Sequence, residues 1–267
     1  MSNSSLPRTY SVGELTETIK NEPVTPTYST GWSDFDQITK GGIAEGEVVL
    51  CSAEGGAGKT HFAVNLSINF AKQGYKVLYL PLEDGWKQIN RRFIEMDADG
   101  RSSEFVRMVM EEDFTLENAK QILSAASRSY NLIILDNLFA MPLRNGATND
   151  YWANQAEWVD DICSIVRSRD CGMLILHHLN KTKEKGVSSY QIAGSTRLRN
   201  RVGQSWLMAR SENAPDVTSI KIDKHRRSKT KGQIYFKSDA TGLLYVQKDM
   251  RVDRQAVQYA KEVFELD

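Results

Sequence analysis

Val48-Val49-Leu50-Cys51-Ser52-Ala53-Glu54-Gly55-Gly56-Ala57-Gly58-Lys59-Thr60 reads as a short β-branched run, a glycine-rich loop and the first turn of a helix. Triphosphate binding requires that order. Glycines let the backbone of Gly55, Gly56, Ala57 and Gly58 curl until its N–H groups point inward, and the helix start adds partial positive charge where phosphate oxygens sit. Lys59 is then expected to reach the β- and γ-phosphates, and the Thr60 hydroxyl to ligate Mg²⁺. The strict phosphate-loop pattern has Gly where this chain has Ala53, so the match is to its relaxed form. The cofactors implied are ATP, or another nucleoside triphosphate, and Mg²⁺.

Outward from this segment, short apolar runs alternate with helical patterns. Strands are predicted over Glu47 to Ser52, Lys76 to Leu80, Asn131 to Leu135 and Cys171 to Leu176. Such alternation gives an α/β fold, a mostly parallel twisted sheet flanked by helices. Trp152, Ala156, Val159, Cys163 and Val166 recur at steps of four and three, which predicts a helix between Trp152 and Arg169 with those residues in the core. Later runs at Gln204 to Ala209, Thr218 to Ile222 and Gln233 to Phe236, with Gly242 in a turn, read as added strands, partly antiparallel.

Two carboxylates complete the expected site. Asp136 ends Leu132-Ile133-Ile134-Leu135, where a strand's C-terminus holds Mg²⁺ through water. Glu83 follows Val77-Leu78-Tyr79-Leu80-Pro81-Leu82 and is suited to orient or deprotonate an attacking water, with Asp84 beside it as the rival.

The bulk numbers exclude more than they choose. The 267 residues carry 34 Lys plus Arg and 34 Asp plus Glu, so any nucleic-acid footprint has to be local. Three cysteines without metal spacing point to a reducing compartment, and with no apolar run near membrane length the expected location is cytoplasmic. Residues 1–29 form a polar, proline-punctuated arm. Within it Ser11-Val12-Gly13-Glu14 is a capping box that opens a short linker helix with Val12, Leu15 and Ile19 on one side. Residues 30–248 are the expected motor domain and 249–267 a helical tail.

Taken together, the residues resemble the motor domain of DnaB-like hexameric replicative helicases within the RecA superfamily, over roughly residues 28 to 246. Thr30-Gly31-Trp32-Ser33-Asp34-Phe35-Asp36 is similar to that family's opening segment, and its phosphate loops also commonly carry Ala at the first glycine position. A glutamate after the second strand matches the family's base. In Leu174-Ile175-Leu176-His177-His178-Leu179-Asn180-Lys181, His178 falls where the family has a Gln or His that contacts the γ-phosphate, and the form also resembles RepA-type plasmid helicases.

In Ile220-Lys221-Ile222-Asp223-Lys224-His225-Arg226, Lys224 and Arg226 match the family's Lys-x-Arg, which reaches a neighbouring subunit's γ-phosphate. Tyr235, on the late strand after it, is assigned to the nucleotide. The resemblance implies a DNA-contacting loop bearing Lys181, Lys183, Lys185, Gly186, Gly194 and Ser195, whose cations and amides follow single-strand phosphates. The implied partners are single-stranded DNA, further copies of the chain in a hexamer with interfacial sites, and a primase or loader, with no membrane. About 28 residues precede the matching part, and no primase activity is expected of them. Two other readings fit the same phosphate site: a RecA-like recombinase forming filaments, and an ATP-gated switch of the circadian-clock ATPase type.

Overall fold

The computed structural model describes residues 9–21, 24–110, 114–140, 151–179, 196–210, 214–229, 232–247 and 254–264. In chain order the elements are α1 (Val12–Asn21), β1 (Thr27–Tyr28), α2 (Ser33–Ile38), β2 (Ile43–Ala44), β3 (Val48–Ala53), α3 (Lys59–Lys72), β4 (Val77–Pro81), α4 (Gly85–Met96), α5 (Arg101–Phe105) and β5 (Val106–Met108). There follow α6 (Leu116–Ala126), β6 (Leu132–Asp136), α7 (Tyr151–Arg167), β7 (Gly172–His178), α8 (Thr196–Arg201), β8 (Gln204–Arg210), β9 (Val217–His225), β10 (Gln233–Ser238), β11 (Leu244–Val246) and α9 (Arg254–Phe264).

Nine strands form one sheet in the order β11-β10-β9-β8-β3-β7-β6-β4-β5. From β8 to β5 every pairing is parallel, and β9, β10 and β11 extend the sheet antiparallel. The mostly parallel sheet with added antiparallel strands is therefore as expected. Its middle strands are apolar throughout because helices cover both faces: β3, β4 and β6 are buried along their whole length.

Strand alternation sends consecutive residues to two separate cores. On one face Val49, Cys51, Leu174 and Leu176 pack under α2, α3 and α4. An aromatic cluster closes that core, with Phe35 4.9 Å from Trp206 and Trp32 4.9 Å from Phe236 between ring centres. On the other face Val48, Leu50, Met173 and Ile175 pack under α6, α7, α8 and α9. Of the expected helix stripe, Ala156, Val159, Cys163 and Val166 are all buried, and the Trp152 side chain lies outside those described. In α9, Ala260, Val263 and Phe264 are buried, so this helix is docked on the sheet.

Near the N-terminus the capping box forms as read: Ser11 N–H donates to Glu14 Oε2 at 2.6 Å, and Glu14 N–H to Ser11 Oγ at 3.1 Å. Val12 is 83% exposed and Leu15 46%. No helix among the described residues is long and apolar enough to cross a membrane.

Candidate nucleotide site

Parallel strands end on the same side, so β3, β4, β6 and β7 deliver Glu54, Glu83, Asp136 and His178 to one edge of the sheet. Register tightens the convergence, since Ala53 lies opposite His178 and Pro81 opposite Asp136. Glu83 is tied in by backbone, as the N–H groups of Leu82 and Glu83 both donate to the Asp136 carbonyl, at 2.6 and 3.2 Å. The chain then turns into α3 through Gly58, whose φ of +95° is a left-handed conformation that L side chains rarely adopt. A cleft of about 380 Å³ opens there, lined among others by Gly56, Gly58, Lys59, Thr60, Glu83, Asp84 and His178.

Lys59 is buried, and its Nζ donates to the carbonyls of Ala53 (3.1 Å) and Glu54 (3.0 Å) and meets His178 Nδ1 at 3.3 Å. Burial pulls its pKa below the ordinary lysine value, opposed by the negative charges of Glu83 and Asp136 among others. The ammonium has protons only to give, so Nδ1 accepts and Nε2–H faces the Glu83 carboxylate at 3.2 Å.

Asp136 is buried, which raises its pKa, while hydrogen bonds from Tyr79 and then Thr60 draw it back. Tyr79 donates to Oδ2 at 2.7 Å, whereas Oδ1 is buried without a hydrogen-bond partner. An unpartnered buried carboxylate oxygen beside a hydroxyl fits a divalent cation, and Thr60 with Asp136 would hold Mg²⁺ there. Among the described residues no three His, Cys, Asp or Glu gather to bind a metal by themselves.

The two neighbouring acids differ. Asp84 Oδ2 is engaged by Arg92 at 3.3 Å, whereas Glu83 faces His178 and Asn137. Asn137 was not among the residues singled out in the sequence. Its only signal there is its place directly after Asp136. Its Nδ2 donates to Glu83 Oε2 and lies 2.9 Å from His178 Nε2. Arg92 and Arg210 also line the cleft and were equally unread.

The remaining predicted residues lie elsewhere. Strand alternation sends Phe236 to the α3 face of β10, while Tyr235 packs with the opposite core and is not in the cleft lining. Lys224 and Arg226 are at the far edge of the sheet. The antiparallel β9 begins beside the cleft at Thr218 and runs away from it, so His225 pairs with Gln204 at the start of β8. There Lys224 Nζ donates to the carbonyls of Arg199, Asn200 and Val202, and Arg226 to that of Asn200. Burial, reinforced by the nearby charges of Arg226 and Arg199, lowers the Lys224 pKa to about 8. Arg226 lines a second cavity with Arg167, Arg201 and Arg227. Lys181, Lys183, Lys185, Gly186, Gly194 and Ser195 lie outside the described residues.

The phosphate loop follows the central strand β3, and Glu83 and Asp136 follow β4 and β6 of the same sheet. Residues 33–184 fit the family model described as AAA domain. The chain belongs to the AAA domain family. This family, with a RecA-like NTPase fold, implies nucleotide binding. Among solved structures the AAA domain chain is similar to a DnaB-like replicative helicase, described with its interactions with primase, at TM-score 0.72 and 16% identity, covering 86% of this chain and 66% of that one. It is similar also to a KaiC-like protein of the hyperthermophilic archaeon Pyrococcus horikoshii, at TM-score 0.65 and 16% identity over 84% of this chain and 100% of that one. These likenesses establish the fold.

By sequence it is 32% identical over 111 residues to the DNA repair protein RadA of Campylobacter jejuni, a match covering 42% of this chain and 23% of that protein. The AAA domain chain thus spans about a quarter of the length of that relative.

Proposed function

We propose that this chain is the ATP-hydrolysing motor of a ring helicase that translocates on single-stranded DNA. The observation that carries the reading is the convergence of Lys59, Glu83 and His178 on one cleft beside the phosphate loop, with Asp136 buried at the adjoining strand end. Amides of Gly55 to Gly58 and the Lys59 ammonium bind the phosphates, for which Lys59 exchanges its carbonyl and His178 contacts. Mg²⁺, when bound, neutralises charge developing on the transferred phosphoryl group. Glu83 takes a proton from water as the water oxygen bonds to the γ-phosphorus and the bond to the bridging oxygen breaks, leaving ADP and phosphate. His178 loses the Lys59 contact at Nδ1 when the lysine turns to phosphate, which lets it report nucleotide state along β7 toward residues 180–195.

The distance of Lys224 and Arg226 from their own cleft supports action in trans, on a neighbouring copy in a hexamer. The loop bearing Lys181, Lys183, Lys185, Gly186, Gly194 and Ser195 is the proposed DNA contact, and a primase or loader the further partner. Hydrolysis measured with and without single-stranded oligonucleotide tests the reading. Stimulation by single strands that weakens with rising salt is expected. Indifference to DNA would sink it in favour of a protein-directed switch. A second reading, an ATPase of DNA repair forming filaments, is favoured by the RadA relative; images with nucleotide and oligonucleotide separate a closed ring from a filament.

A further inference from the structure

We propose that Asn137 is a positioning residue for hydrolysis, one that holds the Glu83 carboxylate against His178 and ties both to the turn after β6. The proposal rests on the reading of Glu83 as the base. Asn137 is fully buried, and both ends of its amide are occupied by different parts of the site. Its Oδ1 accepts from the backbone N–H groups of Phe139 (3.0 Å) and Ala140 (3.2 Å), the 3₁₀ turn over Leu138–Ala140. Those two donors fix which way the amide faces, so Nδ2 must point to the carboxylate. There it donates to Glu83 Oε2, while His178 Nε2–H approaches the same oxygen at 3.2 Å. The 2.9 Å approach of Asn137 Nδ2 to His178 Nε2 follows from two donors converging on one acceptor.

Glu83 needs such a hold. It follows β4 by two residues, and its side chain is 47% exposed, so the strand alone does not fix its rotamer. Asp84, next in the chain and also in the cleft lining, is held by Arg92 instead, which leaves Glu83 as the acid that faces His178. The turn that orients Asn137 also carries Phe139, 53% exposed and edge-on to the His178 ring at 6.2 Å between centres. One buried amide therefore connects the base, the histidine and an exposed aromatic packed on the histidine.

The test is a double-mutant cycle of Asn137→Ala and Glu83→Gln in ATP hydrolysis. In the Glu83 background, Asn137→Ala should lower kcat by up to about 100-fold, the scale on which small misplacements act, with KM for ATP unchanged. In the Glu83→Gln background the same change should cost less than about twofold, because the group it positions is gone. Equal losses in both backgrounds, or a raised KM, would mean that Asn137 serves the fold or nucleotide binding, and the proposal falls. Wild-type turnover in Glu83→Gln alone overturns the reading of Glu83 and this inference with it. Asn137→Asp keeps the acceptor for Phe139 and Ala140 but sets a second carboxylate against Glu83, so it too should lower kcat more in the Glu83 background than in Glu83→Gln, where the neighbour is neutral; thermal melts show which variants are folded.

Discussion

Adjacent residues at the end of β7 have opposite surroundings. His178 faces the cleft, and His177 is turned to the far core, fully buried with neither ring nitrogen hydrogen-bonded. Burial, then the charges of His178 and Lys59, lowers its pKa to about 3. The unfolded chain takes a proton here below about pH 6.5 that the native chain refuses until about pH 3, so stability falls as pH drops through that window. One proton corresponds to about 1.4 kcal/mol per pH unit. Between pH 6.5 and 5, urea denaturation should therefore show wild type losing about 2 kcal/mol more than His177→Leu. Parallel slopes for the two proteins would place the acid sensitivity elsewhere. For the rival acids, Glu83→Gln should bind ATP normally and lose hydrolysis by about 10² or more, while Asp84→Asn, which gives up a half-exposed pair with Arg92, should stay within about threefold. Binding and single-turnover assays on the two variants decide between them.

At the scale of elements, what could be read in the sequence follows from how local each cause is. The strands bearing the site are near-continuous apolar runs, and the phosphate loop is a contiguous segment, so Val48 to Thr60 announces itself. The positions of Glu83, Asp136 and His178 at one edge of the sheet are legible because each follows such a run. The contact of Asn137 with Glu83 is not, since a polar residue after a buried strand looks like any turn former until Glu83 arrives from another strand. The face that Tyr235 takes is not legible for a related reason: alternation gives two faces but not which one meets α3. The short β5, and the pairing of β1 with β2, have too little pattern to stand out from loops.

The helix α9 shows the same dependence on tertiary contact. Eleven residues are marginal as an isolated helix, so its hold is Ala260, Val263 and Phe264 against the sheet. Lys221 adds to it, donating to the Phe264 carbonyl at 2.9 Å and lying 5.7 Å from the ring centre. Phe264→Ala should cost about 3 kcal/mol and open the helix to protease, with ATP affinity retained, because α9 lies across the sheet from α3. A resistant variant with unchanged stability would show the helix is not held there.

For the whole molecule, the cleft and the Lys224–Arg226 pair occupy opposite edges of the sheet. If the pair acts on a neighbour, Arg226→Ala should bind nucleotide and hydrolyse poorly, and mixing it with Lys59→Ala subunits should restore part of the turnover. Some mixed interfaces would join an intact phosphate loop to an intact arginine. Absence of recovery from proven mixed assemblies would confine Arg226 to its own subunit.

The strands that close the nine-stranded sheet on either side, Val106–Met108 and Leu244–Val246, are only three residues each. A broad sheet with long free margins would be a template for edge-to-edge growth and aggregation, and margins this short offer little main chain to copy, one of them with Arg107 at its midpoint. Copies of this chain are thereby discouraged from fusing their sheets into one continuous ribbon. Any association between copies is left to side chains, not to a shared ladder of backbone hydrogen bonds.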